Sequence, residues 1–408
     1  MLNIIFISFF LLAFLSGCIQ FIFYANIEIW NTLVNEIFNA AKNAFTISIN
    51  LTGMLCLWLG LLKIAEKSGL TDLLAKGLQP LFRKIMPNVP DNHPAISSIV
   101  MNMAANILGL DNAATPMGLK AMEQLQELNS QKDTATDAQI MFMVINASSI
   151  TLIPISILMY RAELGAANPA SVFIPILLAT SISTIAGFLS VAYMQKISLL
   201  NKTIIAYTGG LLIFIASVAL YFNSLPNEKR ILYSAIFGNF ILFAVISFFI
   251  AYAALKKINV YESFINGAKE GFEIAVKIIP YLVAMLTAIA AFRASGLMQL
   301  FTNMTEYVLN ILNINTDFVP ALPTAIMKPL SGSGARAMMI ETLQTYGPDS
   351  FEGFVSSVIQ GSTETTFYVL AVYFGAVKIM KIRHALPCAL FADFMGILSA
   401  IVLSYIFY

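Results

Sequence analysis

The chain has 408 residues, of which 58% are hydrophobic and only 11% are charged. Soluble domains carry about 25% charged residues, so this composition predicts a polytopic α-helical membrane protein with the lipid bilayer as its first partner. The formal net charge of +1, without a basic stripe, argues against a nucleic-acid partner.

Apolar windows of about 20 residues predict membrane segments along the whole chain. They cover 1–24, 45–65, 95–118, 139–160, 171–194, 203–222, 231–255, 272–293, 320–340, 355–376 and 386–407. The first contains "LSGC", which resembles a lipoprotein cleavage site, but no Lys or Arg precedes it, so a first transmembrane helix is preferred. Three scattered cysteines predict neither a disulfide framework nor a metal site, and we expect no cofactor.

The sequence repeats itself. The 32 residues from Asn39, ending in "EKSGL", align without gaps with those from Asn266, ending in "RASGL", and ten positions are identical. Further along, "LDNAATP" falls against "SGSGARA", and "INASSIT" falls against "IQGSTET". Three blocks in the same order indicate an internal duplication.

Lys and Arg predict that the repeats have opposite orientations, because these residues accumulate in cytoplasmic loops. Loop 63–94 has five of them and its partner 295–319 has none, whereas 25–44 has one and 256–271 has three. Corresponding segments can cross in opposite directions only if one intervening segment does not cross. The third segment, with "LGLDNAATP" in its middle, is the candidate, and the ninth corresponds to it.

The predicted fold is therefore an all-α polytopic membrane protein. It consists of two inverted-topology repeats with re-entrant hairpins and broken helices, with about nine full spans plus two re-entrant segments. The N-terminus is expected on the cytoplasmic side and the C-terminus outside.

The tenth and ninth segments supply the strongest candidate binding residues. A carboxylate within a span is costly and indicates a site for a cation or proton, although Glu364 could instead brace helix packing. Around it lie hydrogen-bonding groups, at Gln360, Ser362, Thr363 and Thr365. A Gly-Ser tip that opens a helix can hold an anion, here with Lys328, Ser331, Ser333 and Arg336. The two cations could alternatively reach the membrane interface, or pair with Asp393 in the last span.

The fourth and third segments supply the corresponding residues of the first repeat. Polar side chains of the fourth segment are Asn146, Ser148, Ser149 and Thr151, which could also serve helix contacts alone. At the tip of the third segment, a cation or polar substrate could bind Asp111, Asn112 and Thr115, although turn formation explains the Asp-Asn pair equally well.

Catalysis is not expected. The Ser-Gly-Ser-Gly run at 331–334 would suit an intramembrane serine protease, a remote alternative, but both histidines, His93 and His384, lie at loop edges. Without a base in reach, a serine lacks its activator.

Long motifs resemble known families. Residues 1–195 resemble spore maturation protein A through "NILGLDNAATPMGLKAMEQLQELN". Residues from about 225 to 408 resemble spore maturation protein B through "MKPLSGSGARAMM" and "QGSTETTFYVLAVYFGAVKI". The chain is similar to a fusion of the two: an A-like half with one Gate repeat (1–195), a linker with an extra transmembrane helix (196–230) and a B-like half with the other (231–408).

These families are grouped with the nucleoside-recognition, or Gate, domain of concentrative nucleoside transporters. "AANILGLDNAATP" is similar to the transporter hairpin whose Gln-Thr-Glu-Ala-Pro contacts the nucleobase, although this chain lacks the Glu. The resemblance implies a bacterial inner (plasma) membrane protein that transports or exports a small polar solute, either anionic or nucleoside-like, by alternating access. H⁺ and Na⁺ are the candidate coupling ions, and a homo-oligomer is left open. The alternative is a non-transporting regulatory or gate component of a larger assembly.

Overall fold

The computed structural model describes residues 2–90, 93–108 and 111–408. These residues are almost entirely helical, and the one β-type contact among them is an isolated bridge between Thr134 and Lys381. The first half contains α1 (Leu2–Tyr24), α2 (Ile29–Lys67), α3 (Leu70–Ile85), α4 (Pro94–Leu108), α5 (Asp111–Glu127), α6 (Asp137–Ala147), α7 (Ile155–Glu163), α8 (Phe173–Met194) and α9 (Lys202–Ser224). The second contains α10 (Asn227–Leu255), α11 (Val260–Ala294), α12 (Leu297–Ile311), α13 (Leu322–Leu330), α14 (Gly332–Tyr346), α15 (Phe351–Gly361), α16 (Thr366–Ala376) and α17 (Ala385–Phe407).

Seven of the described helices are long and apolar enough to cross a membrane: α1, α2, α8, α9, α10, α11 and α17. The all-α, multi-pass fold class predicted from the sequence is thereby confirmed. Two further predicted spans, 139–160 and 355–376, are each divided into two short helices, α6–α7 and α15–α16. The total of nine spans stays a prediction, because it depends on counting each broken pair as one crossing.

The long helices of the two repeats, α2 and α11, pack against each other in antiparallel directions. Gly271 lies against the backbone at Cys56, and Gly267 lies against the backbone at Leu59. At the other end of α11, Arg293 Nη2 lies 2.6 Å from Glu36 Oε2. The residue numbers of α2 therefore increase in the direction in which those of α11 decrease, so the two helices are antiparallel, as inverted repeats require. Glycine allows this close approach because a Cβ atom at either position would overlap main chain.

The repeated "SGL" forms the same turn twice. Gly69 and Gly296 have φ of 75° and 78°, a left-handed conformation that glycine adopts without a Cβ clash. Each glycine separates a long helix from a shorter amphipathic one, α3 or α12. Both amphipathic segments were expected to be loops, because they are too polar to be predicted as spans. An amphipathic helix beside the end of a span fits the membrane–water interface.

Each repeat then forms a helical hairpin and a broken helix. The hairpins are α4–α5 and α13–α14, where the third and ninth segments were expected to turn back; whether they re-enter the membrane stays a prediction. In the second hairpin, Ser331 Oγ accepts a 3.0 Å hydrogen bond from Gly334 N and caps α14.

The broken helices also lie antiparallel, joined at both ends. At one end, Arg161 in the last turn of α7 contacts Asp349 just before α15, with Nη2–Oδ1 at 3.5 Å. At the other, Lys381 Nζ lies 3.1 Å from Asp133 Oδ2, just before α6. The two breaks are consequently side by side in the middle of the protein.

Candidate functional site

The two breaks, 148–154 and 362–365, are held by hydrogen bonds to neighbouring segments rather than by helix continuation. Glu364 N donates to Ala147 O at 2.9 Å, which joins the second break directly to the first. Leu152 N donates to Ile107 O at 2.8 Å, which ties the first break to the α4 hairpin helix. Non-helical backbone at membrane depth requires such internal partners, because lipid offers none.

A cavity of about 280 Å³ opens between the α2–α11 pair and the two breaks. Four predicted binding residues contribute to its wall: Ser149, Thr151, Arg336 and Glu364. They come from the first break, the second hairpin and the second break, so parts of both repeats form one cavity. Leu51 and Ile278, which occupy equivalent positions in the gapless repeat alignment, both line it. The cavity therefore lies between the two repeats, where equivalent positions of both contribute to its wall.

Opposite charges project towards this cavity. The Arg336 guanidinium lies 5.9 Å from the centroid of the Tyr160 ring, a cation–π arrangement. Its Nε atom is buried and lacks a hydrogen-bond partner among the described residues. The Glu364 side chain is exposed. The arrangement can receive an anionic group at Arg336 and hydrogen-bond donors at Glu364.

Further ion pairs close one side of the cavity. Lys63 Nζ lies 3.0 Å from Glu66 Oε2 and 3.1 Å from Glu270 Oε1, and all three residues line the wall. These side chains are partly exposed. They bridge α2 to α11 and place charges of both signs on this side of the cavity.

An asparagine network beside the cavity joins the predicted Asn146 to Asn102 and Asn106, which were not predicted as site residues, and Asn106 also lines the cavity wall. Asn106 Nδ2 donates to Asn146 Oδ1 at 2.9 Å, and Asn102 Nδ2 donates to Ala114 O at 2.7 Å. Tyr373 OH donates to Asn146 Oδ1 at 3.4 Å, so the network joins α4, α6 and α16. The available signal was the pair of asparagines four residues apart in "NMAAN", which lie on one helix face.

The other predicted residues lie around the breaks but do not line the cavity. Two hydroxyls bond to their own preceding helix: Ser148 Oγ to Val144 O at 2.9 Å and Ser362 Oγ to Ile359 O at 2.8 Å. Buried away from the cavity wall are Lys328, Ser331, Gln360, Thr363 and Thr365. Ser333 is half-buried beside Ser331, and Thr115 is half-buried on α5. The side chains of Asp111 and Asn112 lie outside the described residues.

The histidines are engaged elsewhere. His384 Nε2 lies 3.2 Å from Gln195 Nε2, and His93 Nδ1 accepts from Ala95 N at 3.3 Å. Among the residues that the structure describes, no three His, Cys, Asp or Glu side chains converge as a metal site.

Comparison with known proteins identifies the family. The family model described as "Gate: Nucleoside recognition" matches residues 48–167 and 275–380, together more than half of the chain. The chain belongs to the Gate family. Each matched range runs from a long helix through an amphipathic helix and a hairpin to a broken helix, so each repeat contains the family's unit.

Two relatives of this Gate protein come from Bacillus subtilis (strain 168). Spore maturation protein B is 45% identical over 159 residues, which are 39% of this chain and 88% of that protein. Spore maturation protein A is 44% identical over 157 residues, which are 38% of this chain and 80% of that protein. The predicted resemblance to both families is confirmed; the boundaries of the two halves stay a prediction. Neither relative carries the name of an enzyme.

A solved structure of CNTnw in an outward-facing state is also similar. It has a TM-score of 0.39 and 12% sequence identity, and the match covers 98% of this chain and 90% of that one.

Proposed function

We propose that this Gate protein is a secondary transporter or exporter of a small polar solute, working by alternating access in the bacterial inner membrane. The observation that carries the proposal is that residues of both breaks, of the second hairpin and of the α2–α11 pair line one shared cavity. In secondary transporters, inverted repeats and broken helices surround the substrate at the repeat interface. Motion of one repeat against the other would expose the cavity to alternate sides.

The size of the cavity and the residues of its wall limit the class of solute that it can bind. Its volume of about 280 Å³ lies just below the usual range of ligand pockets, about 300–1,000 Å³, which favours a small metabolite. Arg336 supports an anionic group on the solute, and Glu364 supports hydroxyl or amino donors. Ser149, Thr151 and Asn106 add neutral hydrogen-bonding groups to the wall. A nucleoside-like solute fits the family's description as a nucleoside-recognition domain, and H⁺ or Na⁺ would drive its movement.

Uptake into proteoliposomes tests this proposal. Purified protein is assayed with nucleosides, amino acids and small carboxylates, under imposed H⁺ or Na⁺ gradients. We expect one class to accumulate, and Glu364→Gln to reduce its uptake at least tenfold without loss of folded protein. Glu123→Gln, at an exposed position on α5, is the matched control and should transport normally. Uptake that is unchanged in Glu364→Gln would exclude the cavity as the transport site.

A non-transporting membrane component is the second candidate, favoured by the relatives' names, which denote spore maturation rather than a solute. If no solute class moves while Glu364→Gln leaves the cellular phenotype intact, this candidate replaces the transporter. The expected orientation, with a cytoplasmic N-terminus and an external C-terminus, is tested separately by labelling single cysteines placed at the two ends.

A further inference from the structure

A buried carboxylate lies outside the cavity wall, in the middle of α17. Asp393 is 1% exposed, and neither of its carboxylate oxygens has a hydrogen-bond partner among the described residues. The hydroxyls of Thr363 and Thr366 are close enough to interact with it, but they lie outside hydrogen-bond geometry and have no other described partner. Both buried carboxylate oxygens thus lie near two hydroxyls, but no hydrogen bond joins them.

The surroundings of Asp393 are tightly packed. One turn further along α17, a Cβ atom on Gly396 would be 2.5 Å from Thr363 Cγ2 and 3.0 Å from Ser183 Cβ. On the adjoining position, Ala392 O accepts a 2.9 Å hydrogen bond from Ser183 Oγ. The helix is therefore pressed against the second break on one side and α8 on the other, which leaves the carboxylate poorly hydrated.

Two charged groups interact electrostatically with Asp393. Lys328, 4% exposed on α13, comes from the second hairpin, and Glu364 comes from the second break. Lys328 in turn interacts with Glu364 and Arg336. Among the described residues of the helices packed around α17, these are the charges that bear on Asp393.

An ionised carboxylate without hydrogen bonds is strongly disfavoured in a dry interior, so it must be neutralised. Among the described residues, no three His, Cys, Asp or Glu side chains gather here that could hold a metal ion, whereas a proton neutralises a carboxylate without further ligands. We propose that Asp393 is a proton-binding site. Its carboxyl releases H⁺ to become a carboxylate when Lys328 approaches it, and the proton leaves through the second break, where Glu364 is exposed to the cavity. That this proton drives solute movement rests on the proposed transport function; the protonation itself does not.

Infrared spectroscopy of the protein in liposomes tests this site without any substrate. As pH rises, we expect loss of a carboxylic-acid C=O stretching band that shifts in deuterated water. Asp393→Asn should lack the band, and Asp133→Asn, which removes an exposed carboxylate, should keep it. Lys328→Gln should keep the band to higher pH, because the positive neighbour that favours the carboxylate is gone.

Three outcomes would overturn the proposal: a pH-independent spectrum at this band, a titrating band unchanged in Asp393→Asn, or thermal stabilisation by Na⁺ that disappears in that variant, which would indicate a metal-ion site. If Asp393→Asn does not fold, Asp393→Glu should retain a titrating band at a shifted frequency. A titrating band in a protein that moves no solute would leave this site standing while the transporter proposal fails.

Discussion

The backbone amide of Glu364 donates a 2.9 Å hydrogen bond to the carbonyl oxygen of Ala147, so the breaks of the two repeats are joined directly. The Glu364 carboxylate is exposed towards the cavity while its main chain is fixed by the other repeat. A shift of α6 relative to α15 therefore moves the carboxylate as well. This relationship makes the position of the candidate binding residue depend on the arrangement of the repeats.

The second hairpin packs against the second break, and a double-mutant cycle can measure the coupling between Gly332 and Thr365. A Cβ atom on Gly332 would lie 2.8 Å from Thr365 Oγ1. We expect Gly332→Ala to destabilise the protein by about 1–3 kcal/mol through overpacking. Thr365→Ala removes the obstructing hydroxyl, so the double variant should recover most of that loss. Thermal unfolding in detergent measures the cycle; additive effects would show that the two residues do not meet.

Arg161 is expected to hold the C-terminal end of α7 against the segment that precedes α15. Its guanidinium is 1% exposed and donates a 2.7 Å hydrogen bond to Pro348 O. Arg161→Met leaves that carbonyl without its charged donor and should lower the free energy of unfolding by about 1.5–3 kcal/mol. Arg83→Met, at an exposed position on α3, should change stability little. Equal melting temperatures for the two variants would contradict this role.

The correspondence of the breaks could be predicted because "NASSIT" and "QGSTET" place helix-incompatible polar residues at matching positions of a duplicated sequence. The asparagine network could be predicted only in part: Asn102 and Asn106 share one face of α4, but their partner Tyr373 is far away in sequence. Only the antiparallel assembly of the repeats brings α4 and α16 together.

Helix lengths were also underestimated, for a physical reason. The predicted segment 45–65 is the part of α2 apolar enough for hydrocarbon, whereas the helix runs from Ile29 to Lys67. Its polar first half is held by contacts that composition does not reveal, including the ion pair between Glu36 and Arg293. The helices α3 and α12 were missed because their polar faces lower the mean hydropathy of a window.

Close packing of the long helices predicts opposite effects for two glycine substitutions. A Cβ atom on Gly271 would lie 2.8 Å from the Cys56 backbone, so Gly271→Ala must push α11 away from α2 and destabilise the protein. Gly53 lies in α2 with nothing within 4 Å of its would-be Cβ, so Gly53→Ala should be neutral or stabilising by up to about 1 kcal/mol. Melting temperatures of both variants measure the contrast, and a neutral Gly271→Ala would contradict the packing.

His384 predicts a pH dependence of stability near neutrality. Burial lowers the pKa of this imidazole from its ordinary value of 6.5, and the charge of Arg383 lowers it further, while Asp137 opposes them. The fold therefore favours the neutral ring: its contribution is complete above pH 6.5 and is lost as pH falls towards the lowered pKa.

Melting temperatures between about pH 8 and about pH 5 measure this effect. His384→Gln, which can still contact Gln195, should have a flatter profile than the parent protein on the acid side. His93→Gln replaces the other histidine, whose Nδ1 contacts Ala95 N rather than Gln195, and is the matched control. If the acid-side slope is the same in all three proteins, groups other than His384 take up the protons, and the partial burial of its ring just before α17 has no energetic consequence.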